Sequence, residues 1–552
     1  MIAMFECFLI LLGSFALLFR PAVPEPAVDP ALDGRLIRAA EPADKVYVVE
    51  AGNLSADEMS AAICLQGLVN RERAQLYIVL DRMHRNYLEE IAKRGITLVK
   101  TDESGAPWTF RSLLELFGDR ITDRGFVLYQ KSDFAEGLNT ACNYATLEGW
   151  LAVPETLQDE ALSCGLVLKK DLTREKLNER WLRRFFDANR DRFNPSAIVH
   201  VKTAMTGLRD LAIQQGWYIM YSDQSLSGNL YLDHVLKKTG EGAYILGWCE
   251  REDPFVRYAS RRGCPVVASD HCRDNSFLSA YAFETPAQTG QGAHLTADPT
   301  KHYAALVYSD GDNAQWIQNG FGAYYEKRAR CDDFPITWTF PPIQEQLSPV
   351  SASLVRGAAG ANNCFIAGVS GSGYINPSIF RVRSLDRFTT DTAAMMRRSG
   401  LDIVSILDET PSALREKVFG QTLEYFARFD NIKGGVAMLH PDRYAGGKGR
   451  VWFSLDKPFV SVRLSLWYPE GEGAYVPPDW IEAQAEAVNA YPADPTSIDG
   501  YSVINVHPWT ISTENLAYFV SLLDEHIQLV TADQLIDLIS ENVPHVNAAP
   551  AS

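Results

Sequence analysis

The chain has 552 residues, room for two or three domains at about 100–200 residues each. With 46% hydrophobic, 22% charged and 11% aromatic residues, it is neither disordered throughout nor collagen-like nor a long coiled coil. The formal charge of −17 argues against a nucleic-acid partner, because surfaces that track phosphate backbones are basic.

From Ile2 to Phe19 the chain is almost wholly apolar, and Pro21, Pro24, Pro26 and Pro30 then stop any helix. This pattern predicts a signal peptide or N-terminal anchor over 1–25, hence export and contact with a membrane only through that anchor. Residues 26–44, rich in Pro and Ala, read as a linker. Of nine cysteines, eight follow Cys7, with no C-x-x-C among them. Buried free thiols are expected rather than a structural zinc, and no cofactor is implied.

Between 45 and 235 short β-prone runs (46–49, 76–80, 96–99, 126–129 and 198–201) alternate with helical stretches (56–70, 87–94, 111–117 and 174–188). Strands alternating with helices predict a mostly parallel sheet of Rossmann or flavodoxin type, covered on both faces. There is no G-x-G-x-x-G and no phosphate loop, so a dinucleotide has no support here.

From 236 to 542 the alternation resumes. Runs at 243–247, 265–269, 303–308, 336–340, 365–369, 403–407, 435–439, 460–466 and 502–506 are candidate strands. Helices are expected over 314–330, 388–399, 413–429, 515–524 and 532–539, with a polar tail over 543–552. Nine runs lie close to the eight of a (β/α) barrel. An open doubly wound sheet would give a similar pattern, but the residues after each run favour the barrel.

Those residues are polar at one strand end after another. Trp248 and Glu250 follow the first run; Asp270, His271 and Asn275 follow the second. The third leads into Ser309-Asp310-Gly311-Asp312-Asn313, then Gln315 and Trp316. The fifth leads into Gly371-Ser372-Gly373-Tyr374-Ile375-Asn376-Pro377. Asp408 and Glu409, His440 and Asp442, Trp467, and His507 with Trp509 follow the later ones. A single Asp or Asn after a strand ordinarily caps the next helix. Acids, amides, His and Trp recurring at five or more strand ends make a different pattern. Carboxylates and amides suit sugar hydroxyls, and aromatic faces suit the C–H side of the ring. Gly311 lets the backbone turn between two carboxylates, which could hold a cation, bind hydroxyls or divide acid and base roles.

The segment Gly371-Ser372-Gly373-Tyr374-Ile375-Asn376-Pro377 resembles the signature of the GxGYxYP family of glycoside hydrolases, with Asn376 where the signature has its second tyrosine. Tyr308–Asn313 looks like a second block of that family, and Leu65-Gln66-Gly67-Leu68-Val69-Asn70-Arg71 like one from its N-terminal domain. The resemblance implies an N-terminal α/β domain followed by a barrel-like domain that processes carbohydrate. There is a weaker likeness to polysaccharide deacetylases, through Asp310/Asp312 and His507. It fails at the metal, because no His-x-x-x-His pair is present.

The expected activity is therefore hydrolysis of a poly- or oligosaccharide by two carboxylates. One is Asp310 or Asp312, the other Asp408 or Glu409. Trp248, Asp270, Asn313, Trp316, Gly371, Gly373, Tyr374, Asn376, His440, Trp467, His507 and Trp509 would hold the sugar, and no metal ligand is expected. The alternatives are a carbohydrate-binding protein without catalysis and a deacetylase-like hydrolase.

Overall fold

The computed structural model describes residues 34–131, 136–288, 294–309, 313–320 and 333–550. The N-terminal half is α/β with parallel strands, as expected, but its strands are divided among three small sheets. In the first, β1 (Glu41–Glu50) lies between β2 (Arg73–Val79) and β3 (Thr97–Val99). In the second, β4 (Gly125–Tyr129) lies between β5 (Leu151–Pro154) and β6 (Val167–Asp171). The third adds β7 (Ala197–His200), β8 (Tyr218–Met220), β9 (Tyr244–Gly247) and β10 (Val266–Ala268) in the order β10-β9-β7-β8.

This corrects the expected barrel. The runs at 243–247 and 265–269 are not its first two strands. β9 takes the open edge of β7, pairing Ala197 with Tyr244 through His200 with Gly247, and β10 pairs with β9. An apolar run announces a strand but not its partner.

The barrel begins with β11 (His302–Tyr308) and continues through β12 (Ile336–Phe340), β13 (Asn363–Ala367), β14 (Ile403–Asp408) and β15 (Gly434–Leu439). Next come β16 (Val451–Ser454), β17 (Lys457–Leu466), β18 (Tyr501–Val506) and β19 (Ile527–Val530). The ring runs β11-β12-β13-β14-β15-β17-β18 and closes on β11, so seven parallel strands form it. β16 adds to β17 antiparallel, and β19 pairs with β11 outside the ring. Every residue of β11 to β15 and of β18 is buried, as parallel strands covered by helices require. The ring is tight at β14–β15, with six register pairs, and loose at β13–β14, with one.

The helix Ala56–Val69 starts at a capping box in which Ser55 N donates to Glu58 Oε2 (2.7 Å) and Glu58 N to Ser55 Oγ (3.3 Å). Its motif 65–71 turns out to be structural glue. Gln66 donates to Asp274 (2.5 Å), Asn70 to Leu76 O and Ser276 Oγ, and Arg71 to the carbonyls of Ala145 and Thr146. At Gly67 a Cβ would stand 2.7 Å from Asp210 O, so only glycine lets the helix Arg209–Gln215 cross so close.

One further expectation changes. The linker ends earlier than residue 44: Leu36 N and Ile37 N both donate to Gln346 Oε1, and β1 starts at Glu41. In the tail, Ala548 exchanges two backbone bonds with Val451 (2.8 and 3.1 Å). Backbone donors at a strand edge recruit nearby chain whatever its side chains.

Candidate active site

The signature loop leaves β13 and is fastened at both ends. Gly371 adopts φ +102, and a Cβ there would lie 2.2 Å from Thr392 Cγ2, so both backbone and packing demand glycine. Ser372 Oγ bonds the hydroxyls of Tyr244 and Thr392, each at 2.9 Å. Gly373 passes against Val266 O, 3.2 Å from where its Cβ would be. The next residue then bridges domains: Tyr374 N donates to Val266 O (2.6 Å) and Val266 N to Tyr374 O (3.0 Å). The loop thus ties the loose β13–β14 quarter of the barrel to the edge strand of the third sheet.

A cleft of about 440 Å³ opens between these two bodies. The barrel side supplies Ser309, Asn313, Ile343, Gly371–Tyr374, Leu407, Tyr444, Trp467, Glu472, His507, Trp509 and Thr510; the sheet side supplies Trp248, Glu252 and Val266–Ala268. Aromatic rings stand on several sides of it. Trp248 stacks on Tyr374 with centroids 6.2 Å apart, Trp467 on His507 at 3.7 Å and 4°, and Tyr444 meets Trp467 edge-on at 5.3 Å. His507 Nδ1 is bonded to Thr510 Oγ1 (3.0 Å), which fixes the ring against the indole.

The acids behave differently from one another. Tyr374, 4% exposed, donates its hydroxyl to Glu409 Oε2 at 2.7 Å. Glu409 N in turn donates to Asn376 Oδ1 (2.7 Å), and Arg257 donates to Glu409 O (2.8 Å). Burial raises the Glu409 carboxyl above the ordinary range; the bond from Tyr374 pulls the other way, and Asp253 adds to the rise. Asp408 is also raised by burial, but it is fully enclosed. One of its oxygens accepts from Ser378 N (2.7 Å), the other from Thr410 N and Oγ1 (3.0 and 2.7 Å).

The cleft therefore gathers Trp248, Asn313, Gly371, Gly373, Tyr374, Trp467, His507 and Trp509 from the expected set. Glu409 reaches it through Tyr374. Asp408 does not line it: it braces the turn at Pro377–Ile379. Asn376 is fully buried and does not line the cleft: its backbone N donates to Ser260 Oγ (2.9 Å) and its Oδ1 accepts from Glu409 N, while its Nδ2 has no acceptor among the described residues. Trp316 stands behind Trp509, edge-on at 5.4 Å, and His440 is exposed outside the lining. Asp270 follows β10, is 8% exposed and raised by burial, and its Oδ1 has no partner among the described residues. Asp310 and Asp312 lie outside the described residues; the chain on either side, Ser309 and Asn313, lines the cleft, each with a buried side-chain oxygen that has no partner among the described residues. Among the described residues no three His, Cys, Asp or Glu side chains converge as a metal would need.

Two family models match, and they belong together. Residues 300–540 match the model described as "GxGYxYP putative glycoside hydrolase C-terminal domain", and residues 195–280 match "GxGYxYP third domain". Together they cover more than half of the sequence, and the second spans the sheet that β9 and β10 joined. The chain belongs to the GxGYxYP family. Among solved structures, the crystal structure of a "putative hydrolase" from Bacteroides thetaiotaomicron VPI-5482 matches with a TM-score of 0.79 at 23% identity. That match covers 93% of this chain and 99% of the other, a likeness of fold. A "putative polysaccharide deacetylase" from Mycobacterium smegmatis aligns at a TM-score of 0.31 and 12% identity, over 47% of this chain and 98% of that one. No curated protein matches.

In this GxGYxYP protein the signature glycines shape the backbone and the first tyrosine meets the cleft, while the position of the second, Asn376, is scaffold. Reasoning from sequence missed Glu252 and Glu472, both lining the cleft. Glu252 opens the helix Glu252–Arg262, where an acid ordinarily complements the helix dipole. Glu472 sits between Gly471 and Gly473, an ordinary turn sequence. Only the spatial neighbourhood distinguishes either from a surface acid.

Proposed function

We propose that the cleft binds a saccharide and hydrolyses a glycosidic bond. The observation that carries this reading is the Tyr374–Glu409 hydrogen bond at the wall of an aromatic cleft. A carboxyl whose affinity for its proton is raised by burial suits a general acid for the leaving oxygen, and the tyrosine orients it. Glu252, on the opposite body, is the described carboxylate best placed to serve as base or nucleophile; Asp310 and Asp312, between two cleft residues in sequence, are the other candidates. Trp248, Trp467 and Tyr444 offer ring faces to the sugar, and His507 and Asn313 offer polar atoms.

The test is a screen of poly- and oligosaccharides for new reducing ends, with Glu409→Gln, Glu252→Gln and Asp312→Asn beside the wild type. Loss of the general acid should lower kcat by about 10²–10⁴-fold. Wild-type rates in all three variants would refute the assignment. A second reading, binding without cleavage, draws on Asp408, whose oxygens are consumed by the backbone and Thr410, leaving Glu409 as the one available acid at that strand end. Glycan binding with no product after prolonged incubation would favour it.

A further inference from the structure

A second hollow, of about 960 Å³, adjoins the cleft on the outer side of the loop that follows β15. Its lining is rich in cations: Arg443, Lys448, Arg450 and Arg463, against one carboxylate, Asp442. In a chain of net charge −17 such a concentration of cations is a local exception. Two of the cations are committed. Arg450 pairs with Glu416 (2.5 Å), and Arg463 donates to the carbonyls of Asp499 and Tyr501 while lying 3.8 Å over the Tyr491 ring. Arg443 and Lys448 are exposed and make no ion pair with any described residue. Trp452 is 2% exposed, and its Nε1–H has no acceptor among the described residues. Its ring forms a wall common to this hollow and to a third one beside the helix Glu416–Ala427.

The hollow and the cleft are lined by neighbouring residues of the same strands and loop. Leu464 and Ser465 of β17 line the hollow, and Trp467, two residues farther, lines the cleft; at about 3.3 Å per strand residue they are roughly 7 Å apart. In the loop, Tyr444 lines the cleft, whereas Arg443 and Ala445 line the hollow. Asp442, Arg443, Tyr444 and Lys448 all hold positive φ, between 51° and 77°, in a loop of otherwise ordinary length. Non-glycine residues hold such a conformation only where the surroundings enforce it, and they gather at ligand sites.

We propose that this hollow is a subsite for an anionic group, a carboxylate or a sulfate, on the same saccharide chain that lies in the cleft, so that the substrate is an acidic polysaccharide. The inference rests on the carbohydrate reading of the cleft. Arg443 and Lys448 contact the anion.

Calorimetric titration of the full chain with neutral, carboxylated and sulfated oligosaccharides of equal length tests it, in the wild type, in the double variant Arg443→Ala/Lys448→Ala and in Arg443→Lys. At least one anionic chain should bind about tenfold or more tightly than the neutral one, with an advantage that falls as salt is added. That advantage should vanish in the double variant and persist in Arg443→Lys. The preferred anionic chain identifies the group. Equal affinity for neutral and anionic chains, or an anionic preference untouched by the double variant, would overturn the proposal. Product analysis on the same samples separates the two readings. Anionic preference without cleavage leaves the subsite standing and removes the hydrolase. Cleavage of all chains alike, unchanged in the double variant, does the reverse.

Discussion

Replacing Gly371 by Ala should damage the protein through two separable terms. The first is backbone strain: at φ +102 a residue with a Cβ is disfavoured, at a cost of about 1–3 kcal/mol. The second is overpacking. The new methyl would stand 2.2 Å from Thr392 Cγ2 and 2.9 Å from its Oγ1, and Thr392 is fully buried on the helix Val382–Ser399. Such insertions cost about 1–3 kcal/mol, for a total of about 2–6 kcal/mol. Thr392→Ser removes the offending Cγ2 and keeps the hydroxyl that bonds Ser372 N (3.1 Å) and Oγ (2.9 Å). Combined with Gly371→Ala it should restore the part of the packing share due to Cγ2, about 1–2 kcal/mol, and leave the strain and the approach to Oγ1, so the pair should be non-additive. Denaturant unfolding followed by tryptophan fluorescence measures all three variants. A Gly371→Ala protein within about 0.5 kcal/mol of wild type, or a double variant no better than the single one, would refute this account of the signature glycine.

The remaining predictions concern protons, packing and processing. If Glu409 is the general acid, its burial-raised carboxyl stays protonated to higher pH than an exposed glutamate, and the rate falls as pH rises through that value. Tyr374→Phe removes the bond that holds this carboxyl down, so the alkaline fall in the pH–rate profile should move to higher pH; a profile that stays put or moves down would contradict the pairing. Asp274, enclosed between Gln66, Ile78 N and His84, is pushed up to about 6 by burial, above the roughly 3.9 of an unfolded aspartate. Its neutral form is thus favoured by folding, and stability present below pH 4 should decline by about 3 kcal/mol as pH rises through 6. Asp274→Asn should flatten that decline in unfolding experiments between pH 4 and 7. Gly67→Ala would place a methyl 2.7 Å from Asp210 O and 2.8 Å from Ile213 Cβ, and should lower stability by about 1–3 kcal/mol in thermal unfolding. The apolar run from Ile2 to Phe19 predicts, on sequence grounds, a mature N-terminus near residues 20–30 or detergent-dependent solubility; intact mass of the native protein decides.

Much of the barrel was legible because its strands are continuous apolar runs between helices. The runs at 303–308, 336–340, 365–369, 403–407, 435–439, 460–466 and 502–506 are the seven that close the ring. Strands without that texture were not visible. β6 carries two lysines and an aspartate in five residues, and β16 is four residues long beside a turn. The site was legible in its aromatic half, since Trp248, Tyr374, Trp467, His507 and Trp509 each follow a strand and do meet. The acids were harder. Asp408 and Glu409 are adjacent in sequence, yet one braces a turn and the other faces Tyr374, because consecutive residues leaving a strand point to opposite sides.

Sequence alone determined the period of the elements, and with it the class of fold, the face on which strand-end residues gather, and the glycines the signature loop requires. Tertiary structure alone decided partnership: that β9 and β10 serve the third sheet, that Val266 clasps Tyr374, that Glu252 enters the cleft from another body, and that Arg443 and Lys448 share a hollow with Trp452. The reason is physical. Periodicity records which side of an element is buried, a local property of the chain. Which two buried sides meet is settled by closure of the ring and by the hydrogen bonds that open strand edges must find, and residues more than a hundred positions apart contribute to both.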